Sequence, residues 1–72
     1  MNLRNRLREV RLREGLTQQS LAQAVGVTRQ TIIAVEKSKF RPSVELALKL
    51  ALVLHTPLQE IFWLDDNEGE VS

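Results

Sequence analysis

Cysteine is absent from the 72 residues, proline occurs twice, glycine three times, and aromatic side chains make up only 4% of the chain. Without cysteine there is neither a disulfide framework nor a thiolate zinc site, and the chain is compatible with a reducing cytoplasm. Scarce Pro and Gly together with 43% apolar residues argue for a folded globule and against disorder. No apolar run approaches the roughly 20 residues that span a bilayer, and the arginine-rich N-terminus is not followed by a signal-peptide core or cleavage site. His55, the single histidine, has no neighbour at metal-ligand spacing and is expected to be a solvated helix end. Neither a Ser/His/Asp set nor a glycine-rich phosphate loop is visible. Asp65, Asp66, Glu68 and Glu70 lack the turn glycine and spacing of an EF-hand. No enzyme activity, metal or cofactor is expected.

The formal charge of +1 conceals an asymmetry. Those four acidic residues fall in the last eight, and before them ten Lys and Arg face five Glu, a net of +5 over residues 1–64. That balance favours an anionic partner. Arg4, Arg6, Arg8, Arg11 and Arg13 crowd the first segment. Residues 1–64 are expected to form one domain and residues 65–72 a flexible acidic tail. A domain this short is stabilised only marginally by its own core, so a partner chain is expected.

Leu3, Leu7 and Val10 recur at helical spacing, and Gly15 suits a left-handed cap, so residues 2–13 are read as helix one. Thr17 is an N-cap for a second helix with the stripe Leu21, Ala22 and Val25, closed by Gly26. Only Gly26 and Val27 separate that end from Thr28, the N-cap of a third helix running toward Lys37. Pro42 and Ser43 open a fourth helix, apolar nearly all round and therefore expected to be buried on more than one side. "TPLQ" offers Thr56 as N-cap, Pro57 at the first helical position and Gln59 at N3, a capping box for a fifth helix ending near Phe62.

In helix three Ile32, Val35 and Glu36 share one face, which turns the adjacent Ile33 outward with Arg29, Gln30, Ala34 and Lys37. A face of that composition suits DNA base edges: Arg pairs with guanine, Gln with adenine, and an apolar group packs on a thymine methyl. A lone isoleucine would more often be core or subunit contact. Here it sits in a two-helix unit with a tight Gly turn and free amides at both helix starts.

The stretch "LTQQSLAQAVGVTRQTIIAVEKSKFRPS", with Gln18, Leu21-Ala22, Gly26, Ile32, Glu36 and Pro42-Ser43, resembles the Cro/CI-type (xenobiotic-response-element-like) helix-turn-helix transcriptional regulators over residues 3–62. "RPSVELALKLALVLHTPLQEIFWL" is similar to the short single-domain members of the cytolysin-repressor type. The resemblance implies an all-α, five-helix, lambda-repressor-like domain whose third helix enters the major groove of double-stranded DNA. It places Gln18 on phosphate and the outermost base, Thr28, Arg29 and Gln30 at the mouth of the groove, and Ala34 where several relatives carry a longer base reader. Arg11 and Glu36 match a partly buried ion pair between helices one and three. Thr17, Gln19, Lys37, Ser38, Lys39, Arg41 and Ser43 match phosphate-contacting positions, with Phe40 anchoring the loop in the core. One departure stands out: many relatives carry Gly where this chain has Ser38, at a left-handed cap where Ser is strained.

Leu58, Ile61, Phe62, Trp63 and Leu64 concentrate more apolar bulk than one short helix buries, which suggests a two-fold dimer surface, with residues 62–66 extended and paired with the partner or with the N-terminus. The expected function is a dimeric repressor that reads an inverted-repeat operator, competes with polymerase and works in the cytoplasm on nucleoid DNA. Its inducer, whether small molecule or protein, is unknown. Two rivals remain: a protein-interaction module, adaptor or antitoxin, on the same fold, and a basic amphipathic first helix lying on a membrane, which its small apolar stripe disfavours.

Overall fold

The computed structural model describes residues 1–65. The expected acidic tail, apart from Asp65, lies outside the described residues. In chain order the elements are β1 (Asn2–Asn5), α1 (Leu7–Arg13), α2 (Gln18–Val25), α3 (Arg29–Glu36), α4 (Val44–Val53), α5 (Leu58–Ile61) and β2 (Phe62–Asp65). Five helices enclose one core, and a two-stranded antiparallel ribbon closes it. The core comprises Leu7 and Val10 of α1, Leu21, Ala22 and Val25 of α2, Ile32 and Val35 of α3, Leu46 and Leu50 of α4, then Leu54, Ile61 and Phe62.

Residues 2–5 are strand, not the first turn of a helix as their spacing predicts. They pair with β2 in the register Asn2 to Asp65, Leu3 to Leu64, Arg4 to Trp63 and Asn5 to Phe62. The backbone of Arg6 continues the attachment by donating to the Ile61 carbonyl at 3.0 Å. Helix α1 starts only at Leu7, whose amide donates to the Asn5 side chain at 3.0 Å, an Asx-turn. Leu3 reaches the core from a strand as well as it would from a helix, so four residues of spacing could not separate the two. The C-terminal extended segment therefore pairs with the chain's own N-terminus, one of the two expected partners.

The next three helices start on side-chain caps. Thr17 and Ser20 form a reciprocal capping box, Thr28 accepts from the Thr31 amide, and Ser43 accepts from the Leu46 amide. The first four helices end on a left-handed residue: Gly15, Gly26, Ser38 and His55. At Gly26, φ is 77° and nothing crowds its missing Cβ, so backbone conformation rather than space demands the glycine.

Two expectations about the last helices are corrected. Helix α4 buries only Leu46 and Leu50, while Val44, Leu48 and Leu52 are 76%, 49% and 75% exposed. Its outer face stays exposed among the described residues, so apolar composition did not translate into all-round burial. Helix α5 has no capping box: Pro57 is the N-cap and makes no side-chain bond. The left-handed His55 turns Thr56 inward, where its hydroxyl donates to the Leu54 carbonyl and accepts from Arg13 Nη2, both at 2.8 Å.

Candidate nucleic-acid interface

Helix α3 owes its position to two inward residues, Ile32 and Val35, both essentially inaccessible. The same geometry leaves Thr28, Arg29 and Gln30 exposed and Ile33 and Ala34 half-buried on the outer surface. Ile33 is not among the residues packed against the core cluster. Ahead of α3, Thr17 and Gln19 are exposed at the start of α2, where the capping box uses the Ser20 amide. Of the first α2 turn, the Gln18 and Gln19 amides are left outside the capping box, at the partial positive charge of a helix start.

Between the two helices sits a buried polar brace. Arg11 Nε donates to Glu36 Oε2 at 2.7 Å and Nη2 to Oε1 at 3.4 Å, with side-chain exposures of only 7% and 5%. Arg11 Nη1 donates to the Leu16 carbonyl at 2.9 Å, and Gln18 Nε2 donates to Glu36 Oε1 at 3.2 Å. A carboxylate with three donor nitrogens and a guanidinium with three acceptor oxygens compensate each other's desolvation. The brace ties α1, the α1–α2 turn, the start of α2 and the end of α3 into one body. It also fixes Gln18, one of whose two amide hydrogens is committed to Glu36.

Four of the five N-terminal arginines are engaged within the chain, Arg8 being the exposed exception. Arg4 Nη1 bonds Asp65 at 3.1 Å, the Arg6 guanidinium stands 4.7 Å from the Trp63 ring centroid, Arg11 is buried in the brace and Arg13 donates to Thr56. By contrast Arg29, Lys37, Lys39 and Arg41 are exposed and form no ion pair among the described residues. Among the described residues, exposed positive charge without an ion pair therefore lies along α3 and the loop after it, and at Arg8 on α1. Ser38 and Ser43 belong to the same loop; Ser43 is spent on capping α4.

That loop departs from expectation at Phe40. The ring is 49% exposed instead of anchoring the loop, and it lines a cleft of about 420 Å³ between β1 and residues 38–42. Phe62, from β2, lines the same cleft and is the aromatic that goes inside. Ser38 does adopt the left-handed conformation, at φ 60°.

The expected dimer surface divides. Ile61 and Phe62 are core residues of the single chain, Phe62 showing only its edge to the groove described next. Leu58 is half-buried against the core, while Trp63 and Leu64 are 36% and 60% exposed. Leu58, Trp63 and Leu64 border an apolar groove of about 260 Å³ that Leu3, Val44 and Ala47 complete. Sequence spacing missed two contributors: Val44 as open surface, and Asn5, which donates to the Val35 carbonyl at 3.0 Å and to Ser38 Oγ at 3.3 Å. The one signal for Asn5 was its place two residues before a helical amide. Among the described residues no cluster of His, Cys, Asp or Glu could hold a metal ion, and no helix is long and apolar enough to cross a membrane.

Comparison with known proteins bears on this surface. Residues 7–61 match the family described as helix-turn-helix. The chain is 46% identical over 66 residues to an HTH-type transcriptional regulator of Archaeoglobus fulgidus, covering 92% of this chain and 94% of the relative. It is 30% identical over 68 residues to the cryptic phage CTXphi transcriptional repressor RstR of Vibrio cholerae, covering 94% of this chain and 60% of that one. Among solved structures, the restriction-modification controller protein C.AhdI of Aeromonas hydrophila superposes with a TM-score of 0.71 at 37% identity, over 75% of this chain and 82% of the other.

Proposed function

This chain belongs to the Cro/CI-type helix-turn-helix family of transcriptional regulators, which are not enzymes, and from that membership we propose that it is a homodimeric repressor reading an inverted-repeat operator. Helix α3 enters the major groove. The reading rests above all on one observation: among the described residues, Arg29, Gln30, Ile33 and Ala34 line an outward face away from the core, beside exposed Lys37, Lys39 and Arg41, which form no ion pair there.

Arg29 supplies a fork of donors for a guanine edge, Gln30 a donor and acceptor for adenine, and Ile33 with Ala34 an apolar surface for a thymine methyl. Thr28 and Gln18 flank this face at the groove's edge. Phosphate contacts come from Thr17 and Gln19 at the start of α2, and from Lys37, Ser38, Lys39, Arg41 and Ser43 after α3. The dimer uses the groove bordered by Leu58, Trp63 and Leu64, extended by the open side of α4. A two-fold pair sets the two recognition helices about 34 Å apart, one turn of DNA. Repression follows from occupying promoter DNA, and a cytoplasmic, nucleoid-bound protein is the corresponding location. The repressor named among the relatives supports the sign of regulation.

Selection of bound sites from random duplexes, followed by salt-titrated gel shift, tests the proposal. Enrichment of a palindrome with half-sites one helical turn apart is expected, with affinity falling steeply with salt. Unselective binding, or no binding while the exposed Val44–Leu48–Leu52 face captures a defined protein, would move the chain to the interaction-module reading.

A further inference from the structure

The residue that ends α3 holds a backbone conformation its side chain disfavours. Ser38 has φ 60°, and two of the other three left-handed helix ends are glycines. A side chain at such a position crowds its own carbonyl, so the conformer is populated roughly fivefold or more below that of glycine. Two backbone bonds close this turn: Ser38 N to Val35 O at 3.0 Å and Lys39 N to Ala34 O at 2.8 Å. The same pair closes the glycine-capped turns. They do not by themselves offset the serine.

At this helix end a side chain from another element reaches both the left-handed residue itself and the acceptor of its turn. Asn5 Nδ2 donates to the Val35 carbonyl, already the acceptor for Ser38 N, and to the Ser38 hydroxyl. Its Oδ1 meanwhile accepts from the Leu7 amide. One carboxamide thus joins the start of α1 to the end of α3, across 30 residues of sequence. Its backbone is held in turn by β2, through the pairing of Asn5 with Phe62. His55, the other non-glycine at a left-handed end, is held only through its neighbour Thr56, which donates to the Leu54 carbonyl and accepts from Arg13, with no side-chain bond to His55 itself among the described residues.

We propose that Asn5 is a positioning residue for the DNA-contacting loop: its carboxamide keeps Ser38 left-handed and so sets the course of Lys39, Phe40 and Arg41 along the phosphate backbone. The proposal rests on the reading that α3 and this loop engage DNA. It makes the ribbon and the loop one mechanical unit. A partner that covers Trp63 and Leu64 steadies β2, and through Asn5 it steadies the residues that grip phosphate.

The test is a coupling measurement with Asn5→Ser, Ser38→Gly and the double variant. Asn5→Ser is neutral and retains a hydroxyl able to accept the Leu7 amide, but it is too short to reach Val35 and Ser38. Operator affinity at fixed salt and hydrogen exchange at the Lys39 amide are read together, with thermal unfolding as the check that each variant folds. Asn5→Ser is expected to weaken operator binding roughly five- to tenfold and to speed Lys39 exchange by a similar factor. Ser38→Gly alone should leave Lys39 exchange within about twofold of wild type; because Ser38 itself contacts phosphate, operator affinity is compared with the Ser38→Gly chain as reference, and on that reference Asn5→Ser should lose most of its effect in both readouts. An equal loss from Asn5→Ser with and without Ser38→Gly overturns the proposal. So does no loss, or acceleration spread evenly over the α2 amides. Lys39 exchange is independent of DNA, so a wild-type chain that binds no duplex defeats the regulator reading, whereas absent coupling in a chain that binds DNA defeats the positioning role alone.

Discussion

The helix-turn-helix half and the ribbon end of this molecule are held together by different kinds of contact. From Thr17 to Lys39 nearly every turn is closed by partners within five residues: the Thr17–Ser20 box, the Gly26 cap, the Thr28–Thr31 cap and the Ser38 turn. At the other end, β1 meets β2 only because residues about sixty apart in sequence come together, and its side-chain bonds run from Arg4 to Asp65 and from Asn5 to Ser38. The reading surface is thus built from local instructions. Its attachment to the rest of the domain is not. The Arg11–Glu36 brace links the two regimes, since it joins the first helix to the end of the third.

Removing that brace should produce the largest effect. Glu36→Ala leaves the Arg11 guanidinium buried without its carboxylate, at a cost of about 3 to 5 kcal/mol. A domain of this size is stable by roughly 4 to 10 kcal/mol, so urea unfolding should show a strongly lowered midpoint. A loss below about 1 kcal/mol would mean that the local caps hold α3 unaided. Next come the outward residues, where stability and function should separate. Arg29→Ala and Gln30→Ala should each remove about 1 to 3 kcal/mol of discrimination between operator and random DNA, leaving the unfolding midpoint unchanged. A shift in midpoint without lost discrimination would reverse their roles. Gly26→Ala should cost about 1 to 2 kcal/mol of stability, because an alanine must adopt φ 77° there although it clashes with nothing. Thermal unfolding decides it, and a neutral result would mean the turn re-forms with different dihedrals.

The same division explains what could be read in advance. Thr17, Gly26, Thr28 and Ser43 announce their roles through offsets of two to four residues, so α2, α3 and the start of α4 were legible. Helix α1 was overextended because Leu3 fits either period, and what made it a strand, Trp63 and Leu64 across the ribbon, carries no local mark. Thr56 reads as a cap from its neighbours, yet Arg13, 43 residues earlier, draws its hydroxyl inward. Phe40 and Phe62 compete for an interior place that sequence cannot award, and the strand residue takes it. For α4, apolar composition indicated how much surface wants cover but not whether this chain supplies it. The surface residues were legible by helical phase, whereas Asn5 matters through partners 30 and 33 residues away.

The smallest effect sharpens the comparison most, because it asks what the ribbon contributes beyond its pairing. Arg4 and Asp65 meet diagonally across the ribbon at 3.1 Å, but the Arg4 side chain is 55% exposed, and solvent screens a pair of this kind. Arg4→Ala is therefore expected to cost no more than about 0.2 to 1 kcal/mol, and the loss should fade in high salt. Differential unfolding at low and high salt measures it. A cost above about 2 kcal/mol that persists in salt would make the ribbon's outer end a keystone comparable to the Arg11–Glu36 brace. The expected small, salt-sensitive value leaves the ribbon's hold to its backbone pairing, to Leu3 and Phe62 against the core, and to Asn5 at its inner end.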